Sequence, residues 1–271
     1  MIYVSLSRVQ RLEQLYILED LPESKIKPWQ DAKEEMNRLN EKDLSKREQL
    51  NFKLSSMNIY SLQAHFEDLL RDEDMVSSNV ICLQESWLQP DQNIDGFSLA
   101  GKQQSINSVR TGRGIVTYYS PDFKEMHSFT ATSYQITSIS SNDTTVINMY
   151  RSSNANDKVL LNHLKEILET ENEKDVYICT DLNLCHIEDK NHFLIQFLLD
   201  NSFSITRDPL TGTHKKGRCL DMIWYRGSLQ VESSIKFVYY SDHAQNFVKI
   251  RRKDEETYIR IFFFKLTLGT L

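Results

Sequence analysis

Val176-Tyr177-Ile178-Cys179-Thr180-Asp181-Leu182-Asn183 is the stretch that decides the fold. Its first four residues are apolar, aromatic or β-branched, the composition of a strand buried on both faces. It then ends in Asp181-x-Asn183, and a spacing of two on an extended chain puts those side chains on one side. The construction recurs along the chain. Lys53 to Ile59 reads as extended and carries Asn58, and Val80 to Leu83 runs into Gln84-Glu85. Thr144 to Tyr150 ends in Tyr150-Arg151, and Leu220 to Tyr225 opens on Leu220-Asp221. Ser241-Asp242-His243 precedes Phe247 to Ile250. Strand ends in layered folds converge on one rim, where ligands gather.

The segments between these runs supply the rest of the class. Gly114 to Tyr119, Tyr134 to Ile139 and Ile235 to Tyr239 read as further strands, with Ser140-Ser141-Asn142-Asp143 as a hairpin turn. Ser61 to Leu70, with Ser61 as N-cap, Asp157 to Leu168, and Asp189 to Leu199 read as amphipathic helices. About eight strands with three interposed helices predict an α/β or α+β domain of mixed pairing.

Composition bounds what such a domain does. The chain has 271 residues, 32 Lys+Arg against 38 Asp+Glu, a net charge of −6, and 40% hydrophobic residues. Wholesale disorder is excluded, and no apolar run approaches the roughly 18 residues of a membrane span. Arg8 and Arg11 interrupt the first apolar residues, so no secretory signal is expected. The mild acidity argues against holding nucleic acid by bulk charge alone. Cys82, Cys179, Cys185 and Cys219 form no C-x-x-C pair; Cys82 and Cys179 sit in strand-like runs, and a reducing intracellular compartment is expected. Residues 23–51 are dense in Lys, Glu, Asp and Arg, and read as a charged helical linker.

Each polar cluster has a chemical and a bland reading. Asn58 with Glu85 is a hard-oxygen pair suited to Mg²⁺, or a turn Asn and a surface Glu. Asp181 with Asn183 can move a proton from water and hold a nearby oxygen, or form an Asx turn. His243 with Asp221 or Asp242 behind it is a tautomer-fixed base or phosphate donor, or a capped loop His. Tyr150 can touch a phosphate oxygen or simply pack in its strand. Trp87 and Trp224 read as core or rim packing rather than as a base-stacking platform. Lys215, Lys216, Arg218 and Arg226, near Asp221 in sequence, read as a path for a DNA backbone or as a solvated loop.

Taken in order, Asn58, Gln84-Glu85, Tyr150, Asp181-x-Asn183, Leu220-Asp221 and Ser241-Asp242-His243 resemble the motifs of the endonuclease/exonuclease/phosphatase superfamily over residues 52–251. The resemblance implies a four-layer α/β/β/α sandwich and Mg²⁺-dependent phosphodiester hydrolysis, with Mn²⁺ as the alternative ion. It implies metal binding by Glu85, with Asn58 and Asp242 supporting. Asp181 would activate water, Asn183 would orient it or the phosphate, and His243 backed by Asp221 would contact the scissile phosphate. Tyr150 would support the phosphate or leaving group, and Thr213 matches a threonine common just upstream of the L-D block. Tyr60 stands where abasic-site endonucleases often have an acid, Thr180 replaces a common Gly, and Lys215 to Cys219 lack an aromatic wall. The pattern is closer to mobile-element endonucleases, so a DNA-nicking enzyme is expected, with no membrane partner. A phosphatase or phospholipase, or a catalytically silent binding remnant, are the alternatives.

Residues 1–22 carry a second resemblance. Tyr3-Val4-Ser5-Leu6-Ser7-Arg8-Val9 and Leu12 to Leu18 resemble the last conserved block of Pif-type superfamily 1 helicases, in which the arginine matching Arg8 reaches the γ-phosphate. No G-x-x-x-x-G-K-[ST] loop accompanies it, so no ATPase is expected. The combination resembles the C-terminal part of a Helitron-related transposon protein with an appended endonuclease, nuclear in location and fragmentary here. Residues 252–271 are read as a tail.

Overall fold

The computed structural model describes residues 52–110, 113–171 and 174–250, and one strand pair outside that span. That pair joins β1 (Ile26–Lys27) to β14 (Lys265–Leu266) in antiparallel register, within a unit made of residues 1–51 and 252–271. Ile26 and Lys27 fall in the segment read as a helical linker; a distant strand partner overrides local propensity there. The helicase-like block and most of the linker and tail lie outside the described residues.

The unit Phe52–Arg251 is built on two six-stranded sheets. The first contains β2 (Lys53–Asn58), β3 (Val80–Gln84), β4 (Gln103–Asn107), β5 (Ile115–Tyr119), β12 (Val231–Lys236) and β13 (Gln245–Ile250), in the order β12-β13-β2-β3-β5-β4. The second contains β6 (Lys124–Thr130), β7 (Tyr134–Ser140), β8 (Thr144–Arg151), β9 (Asp175–Asp181), β10 (Ser204–Ile205) and β11 (Asp221–Arg226), in the order β10-β11-β9-β8-β7-β6. Each sheet has one parallel pair, β2 with β3 and β8 with β9, and is otherwise antiparallel.

Helices cover the outer faces. Helix α1 (Leu62–Arg71) starts at Ser61, whose hydroxyl accepts from the Ala64 N–H, and buries Leu62, Phe66 and Leu69. Those side chains pack on Met57, Ile81, Leu83, Val116 and Tyr118 of the first sheet. The short α2 (Glu73–Val76) follows, capped by Asp72. Across the second sheet lie α3 (Asp157–Glu169), capped by Asn156, and α4 (Phe193–Asp200), capped by His192. Leu160, Leu164, Leu194 and Leu198 pack there on Ile147, Met149, Ile178 and Trp224. The result is the four-layer α/β/β/α sandwich that the motif order implied.

Strand periodicity assigns the other face of each sheet to the seam between them. That seam mixes apolar side chains such as Leu54, Val80, Val146, Tyr177 and Ile223 with buried polar ones. Asn148 of β8 reaches across it, donating to Leu83 O, Val116 O and Thr117 Oγ1, and its Oδ1 accepts from Gln84 Nε2 at 2.7 Å. Asn107 of β4 likewise donates to Phe129 O and Ile136 O. The buried Cys82 contacts Cys179 over the same gap, and burial drives its thiol well above the ordinary range. Both cysteines thus behave as small hydrophobes.

The differences from the sequence expectation have local causes. The edge strands β4, β6 and β10 were not anticipated because their residues are polar or solvent-facing, as in β6, where no residue is fully buried. The strand placed at Ile235 to Tyr239 lies at Val231–Lys236, and Phe237 and Tyr239 are exposed beyond it. Helix α4 begins at Phe193, not Asp189, because the His192 side chain accepts from the Leu194 N–H. Among the described residues no helix is long and apolar enough to cross a membrane.

Candidate active site

The polar strand ends meet at one end of the seam. Tyr150, Asp181 and Asp221 occupy one row of the second sheet, since Tyr150 pairs with Asp181 and Asp181 with Asp221 in the strand registers. Asn58 comes from the facing sheet, one position before the strand leaves it. Its Nδ2 donates to Asp181 Oδ2 at 2.7 Å. The other Asp181 oxygen accepts from the Asn183 N–H at 3.2 Å. The Asn183 side chain turns away and donates to Arg151 O at 2.8 Å.

Asp221 faces His243, whose Nδ1 lies 2.7 and 2.9 Å from its two carboxylate oxygens. That contact makes Nδ1 the donor and leaves Nε2 directed to the site. Two further bonds hold the histidine's loop: Ser241 Oγ donates to Asn58 O and accepts from the His243 N–H. Thr213 Oγ1 accepts from the Leu220 and Asp221 N–H groups, fixing the start of β11.

Electrostatics follow from burial and proximity. Burial in the seam, and then the Asp221 carboxylate, push the Asp181 carboxyl up to about 7. Burial alone would lower His243, but the Asp221 carboxylate outweighs it and lifts the imidazole to about 9. The Tyr150 phenol is raised far above its usual range, first by burial and then by Glu85.

Glu85 stands immediately after β3. Tyr150 donates to its Oε1 at 2.9 Å, and Trp87 Nε1 lies 3.4 Å from Oε2. Glu85 takes φ +50°, and Tyr60, Ser61, Trp87 and Asn183 also have positive φ, so strain gathers around this rim. Gly114 permits the close approach of β5: a Cβ there would stand 2.9 Å from Asn107 O and 3.1 Å from Ser86 Oγ. Arg113, next to it, lies over the Tyr150 ring at 5.8 Å.

The donor set fits a hard divalent ion. The Glu85 oxygens each retain acceptor capacity beyond a single hydrogen bond, as does Asn58 Oδ1, which accepts only from the Tyr60 N–H. Ligand atoms of Asp181, Asp221 and His243 lie within 4.8 Å of one another, as do those of His214, Asp242 and His243. Asp242 is therefore placed on the histidine side, its Oδ2 3.0 Å from His214 Nε2, and no contact joins it to Glu85. His214 was missed in the sequence, although it follows Thr213 directly; its ring stands edge-on to His243 with centroids 4.9 Å apart. Arg226 was misplaced. It ends β11, five residues or about 16 Å along the strand from Asp221, and its guanidinium covers Phe203 and donates to Glu171 O. Lys215 and Lys216 are exposed beside Asp242, and Arg218 pairs with Glu188.

The chain belongs to the endonuclease/exonuclease/phosphatase family, whose model matches residues 55–243. The fold is shared with several solved structures. The endonuclease domain of TRAS1, a telomere-specific non-LTR retrotransposon, superposes with a TM-score of 0.58 at 13% identity, covering 74% of this chain and 98% of that one. The Xenopus laevis APE2 catalytic domain gives 0.55 at 18% identity, covering 73% and 91%. The 3′ phosphatase NExo from Neisseria, bound to product DNA hairpin, gives 0.57 at 13% identity, covering 74% and 99%. No curated protein matches the chain.

Proposed function

We propose that this protein is a Mg²⁺-dependent phosphodiester hydrolase that nicks DNA. The observation carrying this reading is the meeting of Asn58, Asp181, Asp221 and His243 at one end of the seam, with Glu85 and Tyr150 beside them. Glu85 would hold the ion, with Asn58 supporting it. The ion would supply charge neutralisation at the phosphate oxygens. Asp181, held by two donors, takes a proton from the attacking water, whose oxygen bonds to phosphorus as the P–O bond to the leaving sugar breaks. The leaving oxygen takes up a proton, from the Tyr150 side of the site or from solvent. His243, doubly bonded to Asp221, presents Nε2 to a non-bridging phosphate oxygen. Asn183 fixes the loop behind Asp181. Lys215 and Lys216 are exposed cations suited to a flanking phosphate. Mn²⁺ is an alternative ion, since it takes the same carboxylate, carbonyl and water donors as Mg²⁺.

A nuclear site of action and descent from a Helitron-like transposon protein are part of the same proposal. Their support is the helicase-like block in residues 1–22 beside a nuclease domain. The test is incubation of supercoiled plasmid with Mg²⁺ and the protein, alongside Glu85→Ala and His243→Ala. Nicking by the parent and not the variants is expected. Turnover of a phosphoinositide without nicking would replace DNA by a small phosphoester, and DNA retention without any turnover would mark a silent binding protein.

A further inference from the structure

Tyr60 and Trp87 form an exposed aromatic pair on the rim of the site. Their ring centroids lie 5.4 Å apart at 49°. Tyr60 is 53% and Trp87 44% exposed, whereas Trp224 is 1% exposed in the core. Of the two expected packing modes, core or rim, Trp224 takes the core and Trp87 the rim.

Both rings stand on strained backbone, at φ +54° for Tyr60 and +58° for Trp87. Gly, Asn and Asp are the residues such positions favour. Apart from their mutual contact, with half their surface in water, large aromatics there gain little from burial. The Trp87 Nε1 contact with Glu85 is long for a hydrogen bond, so it does not account for the ring either. What remains is the ring face itself, with Trp87 presented two residues from Glu85. Glu85 also accepts from the buried Tyr150, whose ring lies under the Arg113 guanidinium at 5.8 Å.

We propose that Tyr60 and Trp87 are a stacking platform for an unpaired nucleobase adjoining the scissile phosphate. This deepens the nucleic-acid reading above and rests on it. Bases stack on aromatic faces whatever their identity, so the platform selects a single-stranded or distorted segment over an intact duplex without reading sequence. Arg113 is placed to meet the adjoining phosphate.

The test measures binding of the full-length protein, in EDTA to prevent cleavage, to two labelled oligonucleotides with equal phosphates. One carries bases throughout and the other is abasic at its central positions. The base-bearing strand should bind about 5- to 150-fold tighter, the range expected for one stacked base. Trp87→Leu and Tyr60→Leu should each abolish most of that preference, and Trp87→Phe should keep it. Equal binding of the two strands, or a preference that survives both leucine variants, overturns the platform. Plasmid nicking without base preference would remove the platform and leave the nuclease. Base preference without nicking would do the reverse.

Discussion

His243 Nδ1 sits between both oxygens of Asp221, at 2.7 and 2.9 Å, although 22 residues of chain separate them. Asp221 orients the ring and keeps the imidazole protonated, so that Nε2–H can donate to a phosphate oxygen. Asp221→Asn should therefore keep the fold but lower plasmid-nicking kcat by about 10²- to 10⁴-fold, the scale of losing the carboxylate behind an active-site histidine. An unchanged rate, with unfolding curves equal to the parent, would remove the pair from the chemistry.

With Glu85 as the proposed holder of the ion, EDTA should abolish nicking and added Mg²⁺ restore it. Glu85→Gln keeps the size and the Tyr150 contact but removes the charge. It should raise the Mg²⁺ concentration needed for half-maximal rate by about 10-fold or more. A Mg²⁺ titration that superposes on the parent's would show the ion is held elsewhere.

Arg151 holds two parts of the site together. Its Nε and Nη2 grip Asp157 at 2.6 and 3.0 Å, its Nη1 donates to Leu182 O, and its own carbonyl accepts Asn183. Arg151→Met leaves Asp157 beside His192 alone. The expected loss is about 3 kcal/mol in urea unfolding, as when one partner of a buried pair is removed. A loss under about 0.5 kcal/mol would show the pair is solvated.

Asp72 couples stability to pH. Burial opposes its ionisation, but Gln245, the Met75 N–H and Lys236 outweigh that and lower its pKa below the ordinary 3.8. A lowered carboxyl stabilises the fold above 3.8, and the contribution is lost as pH falls through the folded value. Asp72→Ala should cost about 1 kcal/mol at neutral pH, from the lost cap of α2. The gap from the parent should narrow on acidification below that range. A gap that stays constant down to pH 2 would contradict the linkage.

The legible part of this molecule was its buried strands. Glu85, Tyr150, Asp181 and Asp221 were visible because each ends or opens an apolar run, and Asn58 because it closes an extended one; the registers align Asn58 with Gln84 in one sheet and Tyr150, Asp181 and Asp221 in the other. The edges were not legible, because Gln103–Asn107 and Lys124–Thr130 carry no apolar alternation. His214 escaped because nothing local marks it; its partner Asp242 lies 28 residues away. Arg226 misled for the converse reason: proximity in sequence to Asp221 becomes distance along an extended strand. Trp87 was legible as core or rim but not as which of the two, because the backbone angle that turns it outward is not written in the sequence.

The seam has a consequence for how the two sheets find each other. Apolar faces attract without direction and tolerate sliding, so grease alone would set the sheets at a distance and not at a position. Asn148 and Asn107 act instead as dowels, since a hydrogen bond stretched or tilted by an ångström is largely lost. The candidate site draws residues from each sheet, and the pegs that align them are buried amides, Asn148 bonding to Gln84 next to Glu85.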